Sequence, residues 1–254
     1  MSAELLEVAV AAARTGGDLL ARRAGAAVGG IAAKSSATDL VSDADRDAEA
    51  LVLGAIRAAR PGDAILAEEG GEVAGGTGIT WIVDPLDGTI NYLWGVPQWC
   101  VSIAAADAEG GLVGVVHDPS RGETFTAARG RGARLGDRKL RAHPGRPLGQ
   151  ALVGTGFSYR AAERAVQATR LAAVLPAVRD VRRLGSAALD LAWVAAGRLD
   201  GYYETGLNPW DRAAGELIAR EAGAVVEELA PGGVVAAGPD LIGPLGRLVR
   251  GAGA

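Results

Sequence analysis

Apolar residues recur at helical spacing from the N-terminus. Leu5, Leu6, Ala9, Ala12, Ala13 and Leu20 predict a helix over residues 3–24. A second stripe, Ala44, Ala48, Leu51, Val52, Ala55, Ile56 and Ala59, predicts a helix over 43–60 that stops at Pro61-Gly62. Asp43, Asp45 and Asp47 crowd its first turn, where the helix dipole favours negative charge. Between the two helices, residues 25–41 are rich in Gly, Ser and Ala and read as a mobile loop ending in a short strand. The period then shortens. Ala64–Ala67 and Thr80–Val83 are apolar runs of buried-strand length, separated by a Gly-rich loop over 70–78. Trp99–Asp107, Gly111–His117 and Glu123–Ala128 follow as an antiparallel meander with turn residues between the runs.

Past residue 150 strands and helices alternate. Leu152–Gly154, Val181–Leu184, Gly201–Glu204 and Ala224–Glu227 read as strands. Ala161–Leu175, Ser186–Ala196, Asp211–Glu221 and residues 240–250 read as helices, with Pro176, Gly197 and Gly223 as stops. The fold class is therefore α/β, or α+β in layers. We expect a single domain of two packed halves, about 1–147 and 148–254.

Composition narrows the chemistry. The chain has 254 residues, 49% of them apolar, enough for a sizeable core. Its net charge of −4 gives no bulk attraction to nucleic acid or to an anionic membrane surface. A bound phosphate must find positive charge locally. One cysteine, Cys100, and two histidines, His117 and His143, leave no disulfide framework and no ordinary zinc site. Any metal is expected on oxygen ligands, which suits Mg²⁺ or Mn²⁺. No signal-peptide pattern and no membrane-length apolar run is present, so the expected location is cytoplasmic.

The strongest motif is Asp84-Pro85-Leu86-Asp87-Gly88-Thr89, directly after Trp81-Ile82-Val83. We read it as a strand ending in a tight turn. Two carboxylates leaving one turn can hold adjacent cations, and the Leu86 carbonyl can add a neutral oxygen. Gly88 lets backbone approach a bulky anion. Thr89 can open a helix, so its N–H and that of Gly88 can meet phosphate oxygens. An isolated Asp-Pro pair is an ordinary turn; the six-residue string after an apolar run is more specific. Glu68-Glu69 follows the strand Ile65-Leu66-Ala67, and Asn208-Pro209-Trp210-Asp211 opens a helix. Each alone reads as an acidic loop or an N-cap. Two carboxylates converging to 4 Å repel by about 4 kcal/mol at an effective dielectric of 20, so a shared cleft would call for a cation.

In combination these segments resemble the inositol monophosphatase family over nearly the whole chain. Ala67-Glu68-Glu69 is similar to its Gly-Glu-Glu, with Ala in place of Gly. Asp84–Thr89 is similar to its Asp-Pro-Ile-Asp-Gly-Thr, and Trp210-Asp211-Arg212-Ala213-Ala214-Gly215 to its Trp-Asp-x-Ala-Ala-Gly. The resemblance implies an αβαβα sandwich, also typical of fructose bisphosphatases, and two to three Mg²⁺ ions per site, with Mn²⁺ a possible substitute. Glu68, Asp84 and the Leu86 carbonyl would hold one ion, and Asp84, Asp87 and Asp211 a second. A third would use Glu68 and waters. Asp45 would sit behind Thr89, and Glu68 with Thr89 would orient the metal-activated water for direct in-line attack. Asp87, Gly88, Thr89, Arg183, Gly185, Ser186, Ala187, Glu204 and Asp211 would meet the substrate, with Lys34 on a mobile loop over the site.

The implied reaction is hydrolysis of a small polyol phosphate, inositol 1-phosphate first. Histidinol phosphate, fructose 1,6-bisphosphate and adenosine 3′,5′-bisphosphate are alternatives for the same chemistry. Lithium sensitivity and a homodimer are implied too. A different class is a regulatory protein-binding or RNA-binding module on the same fold, for which the basic stretch Arg129–Arg146 is the candidate surface, although a solvated hairpin explains it more simply. Cys100 reads as a small buried apolar residue and His117 as a satisfied turn histidine.

Overall fold

The amphipathic stripes fold as the period predicts. Helix α1 spans Ser2–Arg23 and α2 spans Asp43–Ala59, burying Leu5, Ala9, Leu20, Ala48, Val52 and Ile56 against a sheet. The computed structural model describes residues 2–25, 31–33 and 40–251. Lys34 and its loop lie outside the described residues.

In chain order the strands of the first half are β1 (Ala32–Ala33), β2 (Leu40–Val41), β3 (Ala64–Ala67), β4 (Gly71–Val73), β5 (Thr80–Asp87), β6 (Cys100–Asp107), β7 (Gly110–Asp118), β8 (Glu123–Ala128), β9 (Gly132–Leu135) and β10 (Arg138–Lys139). A short helix, α3 (Thr89–Leu93), follows β5. The second half contains β11 (Leu152–Thr155), α4 (Ala161–Val174), β12 (Asp180–Arg182), α5 (Ala187–Ala195), β13 (Gly201–Glu204), α6 (Pro209–Glu221), β14 (Val225–Leu229), β15 (Gly233–Ala237) and α7 (Pro239–Gly251).

Strands β10-β9-β8-β7-β6-β5-β3-β4 form an eight-stranded sheet, and β12-β11-β13-β15-β14 a five-stranded one. Helices α1 and α2 cover one face of the large sheet, α5 and α6 lie between the sheets, and α4 and α7 cover the far face of the small sheet. The result is an αβαβα sandwich with buried apolar clusters between its layers. The middle layer is thin because its contact residues are small: Ala187, Ala188, Ala192, Ala195, Ala214 and Ala219 are all buried. Among the described residues no helix is long and apolar enough to cross a membrane.

Several expectations need correction. The Asp84–Asp87 segment is not a turn after a strand; β5 runs through it and pairs with β6 again at Asp87↔Cys100, with an irregularity between Asp84 and Asp87. A bulge tolerates Pro85, which has no N–H to give to the ladder. The Gly-rich loop at 70–78 contains β4, paired antiparallel with β3. The strand expected at Val181–Leu184 is Asp180–Arg182. Helix α6 begins at Pro209, with Asn208 as N-cap and Asp211 at the third helical position of a capping box. Strand β15 was not anticipated. Its residues Gly-Val-Val-Ala-Ala are all buried, so it lacks the alternation that marks a one-faced strand.

Candidate active site

The C-terminal ends of β3 and β5 meet the start of α6 and the end of β13 in a cleft of about 270 Å³. Glu68, Asp84, Leu86, Asp87, Gly88, Thr89, Arg183, Gly185, Ala187, Glu204 and Asp211 all line it. Glu68 is positioned by β3, since the parallel β3–β5 pair is continued by its N–H to the Val83 carbonyl at 3.2 Å. Gly88 then turns the chain into α3 with φ of +94°, and a Cβ there would sit 2.8 Å from the Gln98 carbonyl oxygen. Only glycine meets both conditions.

Each aspartate has an oxygen held by a protein donor. Asp84 Oδ1 accepts from the Leu86 N–H at 2.9 Å. Asp87 Oδ2 accepts from the Ser186 hydroxyl at 2.6 Å and the Ala188 N–H at 2.8 Å. Asp211 Oδ2 accepts from the Asn208 N–H at 2.6 Å. In each case the second oxygen stands outside these bonds. Behind them, the Thr89 hydroxyl lies 2.8 Å from Asp45 Oδ1, to which it donates, and 3.0 Å from the Leu86 carbonyl oxygen. Asp45 is itself buried, and its Oδ2 accepts from the Ser42 N–H and hydroxyl in the capping box of α2. The start of α2 is thus tied to Thr89.

The cleft concentrates negative charge. Burial pushes the Asp84 carboxyl well above the usual carboxylate range, and the neighbouring charges of Glu68, Asp87 and Asp211, with hydrogen bonding from Glu68, push it further. Burial likewise raises Asp211 well above that range, with Asp87 adding repulsion and the Asn208 N–H opposing it. Asp87 is raised to about 6 by burial, against the pull of Ser186 and Ala188. Glu204 is raised to about 7 by burial, opposed by the Tyr202 hydroxyl at 2.5 Å and the charge of Arg183. Carboxylates in such contact must share protons or a cation.

Among the described residues no three His, Cys, Asp or Glu side chains already meet at metal-ligand spacing. The donors facing the cleft are nevertheless carboxylate and carbonyl oxygens, the set preferred by Mg²⁺. The like-charge contact of Asp84 with Glu68 supplies the reason for a cation there. The residues therefore fit the ion chemically, and binding it requires the carboxylates to draw together.

One expected substrate contact differs in role. Ser186 is 1% exposed and absent from the cleft wall; it caps α5 and holds Asp87. Asp45 stands behind the wall, bonded to Thr89 as expected. Sequence reasoning missed the wall formed by Gly156, Phe157, Ser158 and Tyr159; Asn208 and Trp210, quoted there only as neighbours of Asp211, also line the cleft. A Cβ at Gly156 would collide with the Glu204 carboxylate, a signal visible only in three dimensions. Cys100 is fully buried beside Asp87, and burial with that neighbouring charge pushes its thiol up, which keeps it inert. His117 lies near the end of β7, where its strand pattern put it, with Nδ1 at 3.0 Å from the Thr124 hydroxyl.

The basic stretch resolves into β9, β10 and their flanks. Arg129 pairs with Asp107 and Glu109, Arg146 with Asp200, and Arg134 caps the Asp137 carbonyl. Arg138 and Lys139 form the terminal strand of the large sheet, where charge discourages edge-to-edge pairing.

The family comparison decides the assignment: the inositol monophosphatase family matches residues 1–249. The chain belongs to this family. Inositol-1-monophosphatase SuhB of Mycobacterium tuberculosis (strain ATCC 25618 / H37Rv) is 48% identical over 234 residues, covering 86% of this chain and 81% of the relative. Nus factor SuhB of Escherichia coli (strain K12) is 43% identical over 230 residues, 90% of this chain and 86% of the relative. The crystal structure of extragenic suppressor protein suhB from Bartonella henselae superposes with a TM-score of 0.91 at 38% identity, covering 97% and 98% of the two chains. Membership of the inositol monophosphatase family implies a phosphatase acting on a small phosphorylated substrate, and the αβαβα layers are those of the family's solved structures.

Proposed function

We propose that this inositol monophosphatase-family protein is a Mg²⁺-dependent phosphomonoesterase whose first substrate is inositol 1-phosphate. The observation that carries it is the convergence of Glu68, Asp84, Asp87, Thr89 and Asp211 on one cleft with Glu204 at its other wall. Glu68, Asp84 and the Leu86 carbonyl would hold one ion, and Asp84, Asp87 and Asp211 a second. Bound Mg²⁺ would neutralise the clustered carboxylates and stabilise charge on the attacking and leaving oxygens. The N–H groups of Gly88 and Thr89, at the start of α3, would meet the phosphate oxygens. The Thr89 hydroxyl, with its proton given to Asp45, accepts a hydrogen bond from the attacking water, and Glu68 takes up the proton that water releases. Glu204, steadied by Tyr202, accepts hydrogen bonds from polyol hydroxyls. Arg183, on the same wall, offers a cation to the phosphate ester.

The relative from Mycobacterium tuberculosis, named an inositol-1-monophosphatase, supports this choice. A panel of inositol 1-phosphate, histidinol phosphate, fructose 1,6-bisphosphate and adenosine 3′,5′-bisphosphate in Mg²⁺, repeated with LiCl, tests it. Inositol 1-phosphate should have the highest kcat/KM and be inhibited by Li⁺. A higher value for any other member refutes the substrate, and insensitivity to Li⁺ counts against the second cation position.

A further inference from the structure

A second cavity, of about 470 Å³, lies between α4 and the loops Thr205–Asn208 and Ala230–Gly232. Its size suits a small organic molecule. Thr205, Gly206, Leu207 and Asn208 form a wall of both this cavity and the catalytic cleft.

Arg170 sets its chemistry. The residue is 6% exposed, yet no carboxylate pairs with it among the described residues. Its Nε donates to the Val249 carbonyl at 2.8 Å and its Nη1 to the Thr205 hydroxyl at 3.4 Å. The Val249 carbonyl, near the end of α7, offers only partial negative charge. A buried guanidinium without a counter-charge is costly. Beside it, the buried Tyr203 hydroxyl neighbours Thr155 in a smaller pocket that Arg170 also lines. At the cavity mouth Arg160 and Glu163 pair with each other at 2.5 Å, so among the described residues no carboxylate compensates the charge of Arg170. The remaining walls include apolar Val166, which is 57% exposed, Leu207 and Pro231.

We propose that this cavity binds a small organic anion, its acid group on Arg170 and its apolar body against Val166, Leu207 and Pro231, and that occupancy adjusts the catalytic cleft. The linkage is a hydrogen-bonded chain. Gln167 Nε2 donates to the Thr205 carbonyl at 3.1 Å and lies 3.2 Å from the Thr205 hydroxyl, while its Oε1 accepts from the Ser158 N–H at 2.8 Å. Ser158 and Thr205 both face the cleft. Further along the same loop, the Asn208 N–H holds Asp211. An anion that draws Arg170 from the Thr205 hydroxyl therefore acts on the loop between Glu204 and Asp211. The proposal does not rest on the identity of the phosphate ester.

Ligand-observed NMR on the full chain in Mg²⁺ without substrate tests binding without turnover, and the Arg170 and Val166 variants separate this cavity from the cleft. Hexanoate and hexylphosphonate are the probes and hexanol the neutral control. At least one anion should bind about 30-fold more tightly than hexanol, and Arg170→Gln should remove that difference. A preference for hexylphosphonate assigns the site to phosphate-like acids, and a preference for hexanoate assigns it to carboxylates. Val166→Asp places a negative charge at an exposed rim position; it should weaken the anions by about five-fold and leave basal turnover unchanged. That variant decides the matter if Arg170→Gln fails to fold. The favoured anion at saturation should change kcat/KM by about five-fold in the parent protein. Hexanol binding as tightly as both anions, or anion binding indifferent to Val166→Asp, overturns the site; unchanged kcat/KM overturns the coupling.

Discussion

Removing Mg²⁺ should make the protein's stability fall as pH rises from 5 to 8. Asp87 at about 6 and Glu204 at about 7, against 3.8 and 4.5 for unburied groups, correspond to about 3 kcal/mol each. Both carboxyls face an open cleft, so solvent screening reduces this to about 3 kcal/mol for the pair. Their folded-state affinity for protons is raised. The stability they contribute is therefore fully present below the unfolded values and is lost as pH rises through about 6 for Asp87 and about 7 for Glu204. Asp84 and Asp211 are raised for the same reason and add to the trend. His117 works the other way: burial pushes its imidazole down, so its contribution is lost as pH falls through the histidine range. It sits away from the cleft, so the difference between melting curves in Mg²⁺ and in EDTA cancels it. For a chain of this size about 3 kcal/mol moves Tm by about 6–12 °C. Thermal unfolding in EDTA should fall behind that in Mg²⁺ by this amount at pH 8 and by far less at pH 5. A gap that is constant across this range, or that widens toward acid, refutes the idea that the cleft carboxylates repel one another and await a cation.

Three further outcomes follow from named contacts. Thr89→Ala should lower kcat about 10²–10⁴-fold with little change in KM, and Thr89→Ser should recover most of it, because only the hydroxyl bridges Asp45 and the water; equal losses in both variants would point to packing instead. Glu204→Gln should raise KM for inositol 1-phosphate about ten-fold and affect kcat less, since one charged hydrogen bond to a hydroxyl is lost; an unchanged KM removes Glu204 from polyol recognition. We propose a homodimer, for which the 69% exposed Trp94 and 44% exposed Val96 are the apolar surface; light scattering should give twice the chain mass, and a monomer unaffected by Trp94→Ser contradicts it.

The helices were legible where one face is apolar. The stripes of α1 and α2 follow a period of 3.6 because each packs one side on the large sheet. Strand β15 was not, because every residue in it is buried and no alternation survives. The motif around Asp84 was legible as chemistry but not as geometry. Its residues occupy an irregular strand, a conformation fixed by pairing with β6 rather than by local turn preference. Links across the fold carry no local signal at all. The Thr89–Asp45 contact, across 44 residues, was expected only from the family resemblance, and the Ser186–Asp87 contact, across 99, was not expected. Ser186 thus appeared as a substrate contact, whereas its hydroxyl is spent on Asp87. The Gly156–Tyr159 wall was hidden for the same reason: its need for glycine comes from the Glu204 carboxylate, on a different strand.

The most direct test of the account is phosphate release from inositol 1-phosphate by the parent protein and by Asp87→Asn, each in Mg²⁺ and in EDTA. Turnover should occur in the parent protein with Mg²⁺, vanish in EDTA, and fall by about 10³-fold or more in Asp87→Asn while its fold is retained. Hydrolysis that survives EDTA, or an Asp87→Asn variant as active as the parent, contradicts the carboxylate-held cation site on which the account rests.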